Sequence, residues 1–260
     1  MPHPWMMAVA VAVLAGYLAG FLHGPAALWL LALAVCASRL RTARGKGRAA
    51  WLAVTAGLSL LLGLHLLPGF SNPAIIRDVL MSPGAPPYSQ YVNFDKTLGV
   101  VLLLGGIGWR PLRSAEWAVA LRRTVPLTLA TVVVVMAGSL ALGFVRYEPR
   151  WTQLFWVWAP INLLTTCVSE EAFFRQLLQT ELGRFFRRWR SADAIAVGGS
   201  AILFGLAHAA GGWRYALLAC LAGTGYAVVF QRTARLEMAI LTHFTVNAVH
   251  FLLFTYPALA

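Results

Sequence analysis

Residues 169–175 read SEEAFFR and place two carboxylates and a guanidinium inside otherwise apolar sequence. Ionisable groups deep in a bilayer cost roughly 2.5–3.5 kcal/mol each on insertion scales, so they persist where they pair or line a wet cavity. Glu171 and Arg175 stand four residues apart and share a helix face, which predicts an ion pair. Glu170 is rotated about 100° around the same helix and cannot share that pair equally. Two further segments carry polar side chains into apolar surroundings. FGLAH sets Phe204 and His208 four apart, and HFTVN sets His243 and Asn247 at the same spacing. Measured along ideal helices from the flanking polar turns, Glu170 lies about 21 Å from Arg184 and His208 about 22 Å from Asp193. Asn247 lies about 18 Å and His243 about 12 Å beyond Arg235. These depths predict one site assembled from three helices.

A carboxylate beside a histidine can hold a water and take its proton. A second donor, His or Asn, stabilises the negative oxygen that forms when water adds to an amide carbonyl. The set therefore suits hydrolysis of a peptide bond. Ser169 and Cys167 adjoin it, but neither has a histidine spaced to activate it locally, which disfavours a covalent route. Glu170, His208 and His243 could instead give zinc three ligands and leave a position for water. The chain has no HExxH pair, and water activation without a metal cofactor is favoured over zinc. Taken singly, each element has a structural explanation: an intramembrane histidine as a helix–helix contact, His243 with Asn247 as interhelical glue, Glu171 with Arg175 as a neutralised bridge. Their coincidence at compatible depth is what points to a site.

These segments resemble the motifs of the CPBP family, the CAAX-protease and bacteriocin-processing (Abi-type) intramembrane glutamic peptidases. EEAFFR is similar to its EExxxR motif, FGLAH to FxxxH and HFTVN to HxxxN, in the same order, across 170–247. YVNFDKTLG (91–99) resembles, less specifically, a segment of bacterial members. The resemblance implies an intramembrane endopeptidase in which Glu170 with His208 activates water. It implies His243 and Asn247 as the oxyanion site, with Glu171 and Arg175 positioning the first group and Phe204 supporting it. Members are often labelled metalloproteases, which conflicts with the metal-free route. The N-terminal half carries little of the resemblance, so no substrate preference comes with it.

The elements that would position these groups are legible in the composition. Of 260 residues, 59% are hydrophobic and 12% charged, against about 25% charged in an average soluble domain. Mean hydropathy is +0.70, and the apolar residues come in long blocks. This predicts an all-α polytopic membrane helix bundle of about eight to nine transmembrane helices around a helix-lined intramembrane cavity. The candidate spans are 5–22, 25–38, 49–67, 97–109, 124–144, 151–183, 193–210, 214–230 and 236–256. The second and fourth are short. The segment 151–183 is too long for a simple span, so either Pro160 kinks it or its end protrudes. Two domains are expected: 1–123, N-terminal helices with an outer loop at 68–96, and 124–260, a catalytic helix bundle.

The net charge of +12 gathers between apolar blocks, as in RLRTARGKGR (39–48) and RFFRRWR (184–190). That pattern indicates membrane orientation rather than nucleic acid. It places the N-terminus in the cytosol and the C-terminus outside a plasma (inner) membrane, with Arg77, Lys96, Arg146, Arg150 and Arg214 on the outer side. The loop 68–96 is expected as a connector in preference to a substrate-facing cap, and its AIIRDVL stretch could form a short interfacial helix. Cys36, Cys167 and Cys220 sit in apolar blocks, which predicts neither disulfides nor a cysteine metal site. The N-terminal apolar stretch has no Lys or Arg before it and is expected as a retained helix. His3, His23, His65 and His250 are expected at interfaces or helix ends.

The leading expectation is an endopeptidase cutting near the C-terminus or membrane boundary of a substrate protein. Its partners would be a protein or peptide with a membrane-associated segment and the lipid bilayer, with no nucleic acid. The substrate could be a prenylated tail, a peptide precursor or a sorting anchor. The alternatives are a non-catalytic immunity or peptide-binding membrane protein and a proton-coupled transporter, because an intramembrane Glu–His pair also relays protons.

Overall fold

The computed structural model describes residues 4–259; His3 lies outside the described residues. The described chain is all-α, with one small two-stranded sheet. It divides into two compact units, one made of the residues up to Ile75 together with Tyr91–Arg110, the other of Ile76–Gln90 with Pro111–Ala260.

The first unit holds α1 (Pro4–Leu18), α2 (Ala26–Thr42), α3 (Gly45–Gly63) and α4 (Phe94–Ile107). The two short candidate spans are thus helices α2 and α4. Leu22, Ala26, Leu30, Leu98 and Leu102 form its core. A Cβ at Gly106 would lie 2.5 Å from the Ala37 methyl, so the close approach of α2 and α4 depends on that glycine. At the N-terminus of α4, Asp95 is 1% exposed. Its carboxylate accepts from His65 Nδ1 at 2.8 Å, from Asn72 Nδ2 at 3.2 Å and from the Lys96 amide at 2.7 Å. This node ties the chain after α3 to the start of α4. His23 Nε2 meets Ser71 Oγ at 2.9 Å in the same unit.

The second unit contains α5 (Trp117–Ala141) and a helical run from Leu154 to Phe185, followed by α9 (Ala192–Ala207), α10 (Trp213–Thr233) and α11 (Leu236–Leu253). Val135, Phe174, Phe204, Tyr226 and Val246 belong to its central core. A Cβ at Gly205 would meet the Ala216 carbonyl at 2.8 Å, so α9 packs closely on α10 only with glycine there. The expected over-long span resolves into one helical run of changing register. It comprises α6 (Leu154–Ile161), a π-helical stretch Asn162–Cys167, α7 (Val168–Glu171), a second π-helical stretch Ala172–Gln179, and α8 (Thr180–Phe185). Pro160 lies in α6 just before the first π stretch. It has no N–H to donate to the preceding turn, which is a recognised cause of a local change of register.

The AIIRDVL stretch is not a helix. Ala74–Val79 is strand β1, paired with β2 (Tyr88–Tyr91). Ile75 is 50% and Ile76 3% exposed, so these neighbours point to opposite faces, as successive residues of a strand do. Adjacent β-branched isoleucines favour that outcome.

Among the described residues, three helices are long and apolar enough to cross a membrane by length and composition: Ser114–Ala141, Trp213–Thr233 and Leu236–Leu253. Val9–Leu18 and Ala192–Ala207 are shorter apolar helices. On α5, Leu129, Val133 and Val134 point outward and exposed. Such an outward apolar surface is unfavourable in water and suited to lipid.

Candidate active site

The site grows from the register changes in 154–185. Glu170 and Glu171 sit in the single α-helical turn between the two π stretches, adjacent in sequence and facing different surroundings. Glu171 and Arg175 are both fully buried, with Arg175 Nε donating to Glu171 Oε2 at 2.8 Å. Arg175 Nη1 donates to Ser200 Oγ at 2.6 Å, and Ser200 Oγ donates to the Phe174 carbonyl at 2.8 Å. The guanidinium carbon lies 5.2 Å from the Phe204 ring centroid, a cation–π distance that helps hold a charge away from water. Breaking such a buried pair from one side costs about 3–5 kcal/mol, because the other charge stays buried.

His243 joins this network. Its Nδ1 lies 2.9 Å from Glu171 Oε1. The carboxylate can only accept, so the Nδ1 carries the proton. The ring stacks on Tyr226 at 4.5 Å between centroids and 15° between planes. His243 is therefore anchored to the buried acid, a partner 72 residues away in sequence. Its spacing to Asn247 gives no hint of that partner.

Glu170 faces the other way, into a cavity of about 500 Å³ that is also lined by His208, His243 and Asn247. The structure thus brings all four expected groups to one cavity, with Phe204 in its wall. His208 caps the C-terminus of α9 rather than lying within it. Its Nδ1 meets the Phe204 carbonyl at 2.8 Å. A carbonyl accepts, which puts the proton on Nδ1 and leaves Nε2 as the lone-pair nitrogen of the neutral ring. That nitrogen lies 4.0 Å from Glu170 Oε2, with both side chains partly exposed at 19% and 16%. Two acceptors at this separation suit a water that donates one proton to each, since two hydrogen bonds of about 2.8 Å from one oxygen span it at an angle near 90°. Tyr215 packs edge-on to His208 at 5.1 Å.

Asn247 makes a contact that the sequence reading missed. Its Nδ2 donates to Asn162 Oδ1 at 3.2 Å and approaches Cys167 Sγ at 3.7 Å. Cys167 Sγ in turn lies 3.4 Å from Asn162 Oδ1. Asn162 lines the cavity. The available signal was a lone carboxamide in an apolar run. On an ideal helix, eight residues place it about 80° from Glu170. The π-helical register between them turns less per residue and brings it back towards the same face.

Ser169 Oγ is buried and has no hydrogen-bond partner among the described residues, so nothing there activates it. Among the described residues no three His, Cys, Asp or Glu side chains are grouped to hold a metal ion. Of the remaining histidines, His250 lines the cavity and meets the Thr255 carbonyl at 3.1 Å.

Residues 151–249 match a family model described as type II CAAX prenyl endopeptidase Rce1-like. The matched segment, less than half of the chain, contains Asn162, Glu170, Glu171, Arg175, Phe204, His208, His243 and Asn247, and the match implies peptidase activity in general. No curated protein and no solved structure matches the chain.

Proposed function

We propose that this chain is an intramembrane endopeptidase of the glutamic type, hydrolysing a peptide bond near the C-terminus or membrane boundary of a substrate protein. The observation that carries this is the 4.0 Å separation of Glu170 Oε2 and His208 Nε2 in a cavity shared with His243 and Asn247. Water held between the acid and the imidazole loses a proton to Glu170 as its oxygen bonds to the carbonyl carbon. The carbonyl electrons move onto oxygen, and His243 with Asn247 stabilise that oxyanion. Collapse breaks the C–N bond, and the departing amine takes the proton back from Glu170. For His243 to donate from Nε2 while its Nδ1–H stays on Glu171, the ring carries both protons, and the Glu171 carboxylate offsets that charge.

Water activation in this reading needs no resident ion. A CAAX-type substrate, a protein tail carrying a lipid or a membrane segment, agrees with a cavity inside an apolar bundle. The clustering of basic residues at 39–48 and 184–190 supports a cytosolic N-terminus and an outer C-terminus in a plasma membrane.

The test compares protein termini in membranes from cells carrying wild type or Glu170→Gln at matched abundance. A protein whose terminus changes between the two is expected and names the substrate. Identical termini, with the biological activity retained in the variant, would replace the peptidase by a peptide-binding protein.

A further inference from the structure

We infer that Asn162 is a further catalytic residue: its side-chain NH₂ donates to the oxyanion beside His243 and Asn247. This rests on the peptidase reading and refines its oxyanion site.

A carboxamide has two N–H donors on nitrogen and one acceptor oxygen. Asn247 Nδ2 donates to Asn162 Oδ1 at 3.2 Å and approaches Cys167 Sγ at 3.7 Å. Asn162 Oδ1 is thereby the shared acceptor, taking the Cys167 thiol as well at 3.4 Å. The Asn162 nitrogen has no partner among the described residues, yet it is not among the polar atoms sealed from solvent without one. Asn162 lines the cavity together with Glu170, His208 and His243, so this nitrogen opens onto the space where the substrate carbonyl must lie. The residue itself is only 8% exposed, which fixes the amide and keeps bulk water from competing for its donors. Donation into Asn162 Oδ1 also polarises its N–H bonds, as chained hydrogen bonds do. The first π-helical stretch begins at Asn162, and its register turns this residue towards the face that carries Glu170.

A purely positioning role predicts something different, and one isosteric change separates the two. Asn162→Asp keeps an acceptor for Asn247 and Cys167 but removes the N–H donors. Asn162→Ala removes both without adding charge. The full-length protein in liposomes is assayed on a fluorogenic farnesylated C-terminal peptide, beside affinity for the matching peptide aldehyde, whose hydrate mimics the tetrahedral state. Both variants are expected to lose about 10²- to 10³-fold in kcat with KM within about threefold, and to lose aldehyde affinity in parallel. Thermal unfolding in detergent checks that each variant is folded. Either variant keeping kcat within about threefold of wild type overturns the proposal. Retention by Asp alone leaves Asn162 as a positioning acceptor, and retention by Ala alone reduces the Asp effect to its charge. Glu170→Gln runs alongside. If it cleaves as fast as wild type, the peptidase reading itself fails; if it is inactive while an Asn162 variant is not, only the role of Asn162 fails.

Discussion

Asp95 with His65 in one unit and Glu170 with His208 in the other combine the same two functional groups at different separations. At 2.8 Å, Asp95 and His65 bond directly, and Asn72 and the Lys96 amide fill the rest of the carboxylate. This is a joint between two chain segments, with no room for a reactant. At 4.0 Å, Glu170 and His208 leave a gap that one water could bridge, and both border a cavity of about 500 Å³. An acid beside a histidine is thus no sign of catalysis by itself; the gap between them, and what shares the space, decides. Glu171 makes the same point one residue away, since its two oxygens are occupied by Arg175 and His243 in a dry interior.

The largest effect that would sharpen this contrast is on turnover. Glu170→Gln should lower cleavage of a farnesylated tail peptide by about 10²–10⁴-fold with an unchanged melting temperature, as loss of a general base does. Arg175→Met should do the reverse in kind. It leaves Glu171 charged and buried, so unfolding in detergent should show a loss of about 3–5 kcal/mol. A smaller loss of about 1–3 kcal/mol is expected for Asp95→Asn, with kcat of the folded fraction unaltered. If that variant instead abolished turnover while staying folded, the division between joint and site would be wrong. Smallest of all, dialysis against a chelator should leave the rate within about twofold of the untreated enzyme. A loss restored by added zinc would return the metal reading.

The part of the site that sequence revealed is the part written in local spacing. Glu171 with Arg175, Phe204 with His208, and His243 with Asn247 are each four apart, and a helix sets such residues on one face whatever surrounds it. The pairing of Glu170 with His208 required only that two helices meet at similar depth. What spacing could not show is long-range or depends on a change of register. His243 bonds to Glu171 across 72 positions, and Asn247 reaches Asn162 across 85. The π-helical stretches on either side of Glu170 are not written in residue spacing, so an ideal helix projected from the sequence turns Asn162 about 80° away from Glu170. The 74–79 strand was missed for a related reason. Six residues of mixed polarity fit a short amphipathic helix or a strand equally well, and pairing with 88–91 decided between them.

If Glu170 and His208 act together on one water, a double-mutant cycle will show it. Turnover of the farnesylated peptide is measured for wild type, Glu170→Gln, His208→Ala and the double variant, each confirmed folded in liposomes. Residues that form one catalytic unit are strongly non-additive, so the double variant should be slower than the worse single variant by no more than about threefold. Losses that multiply in the double variant would mean that the two side chains act independently, and the account of a shared water would be wrong.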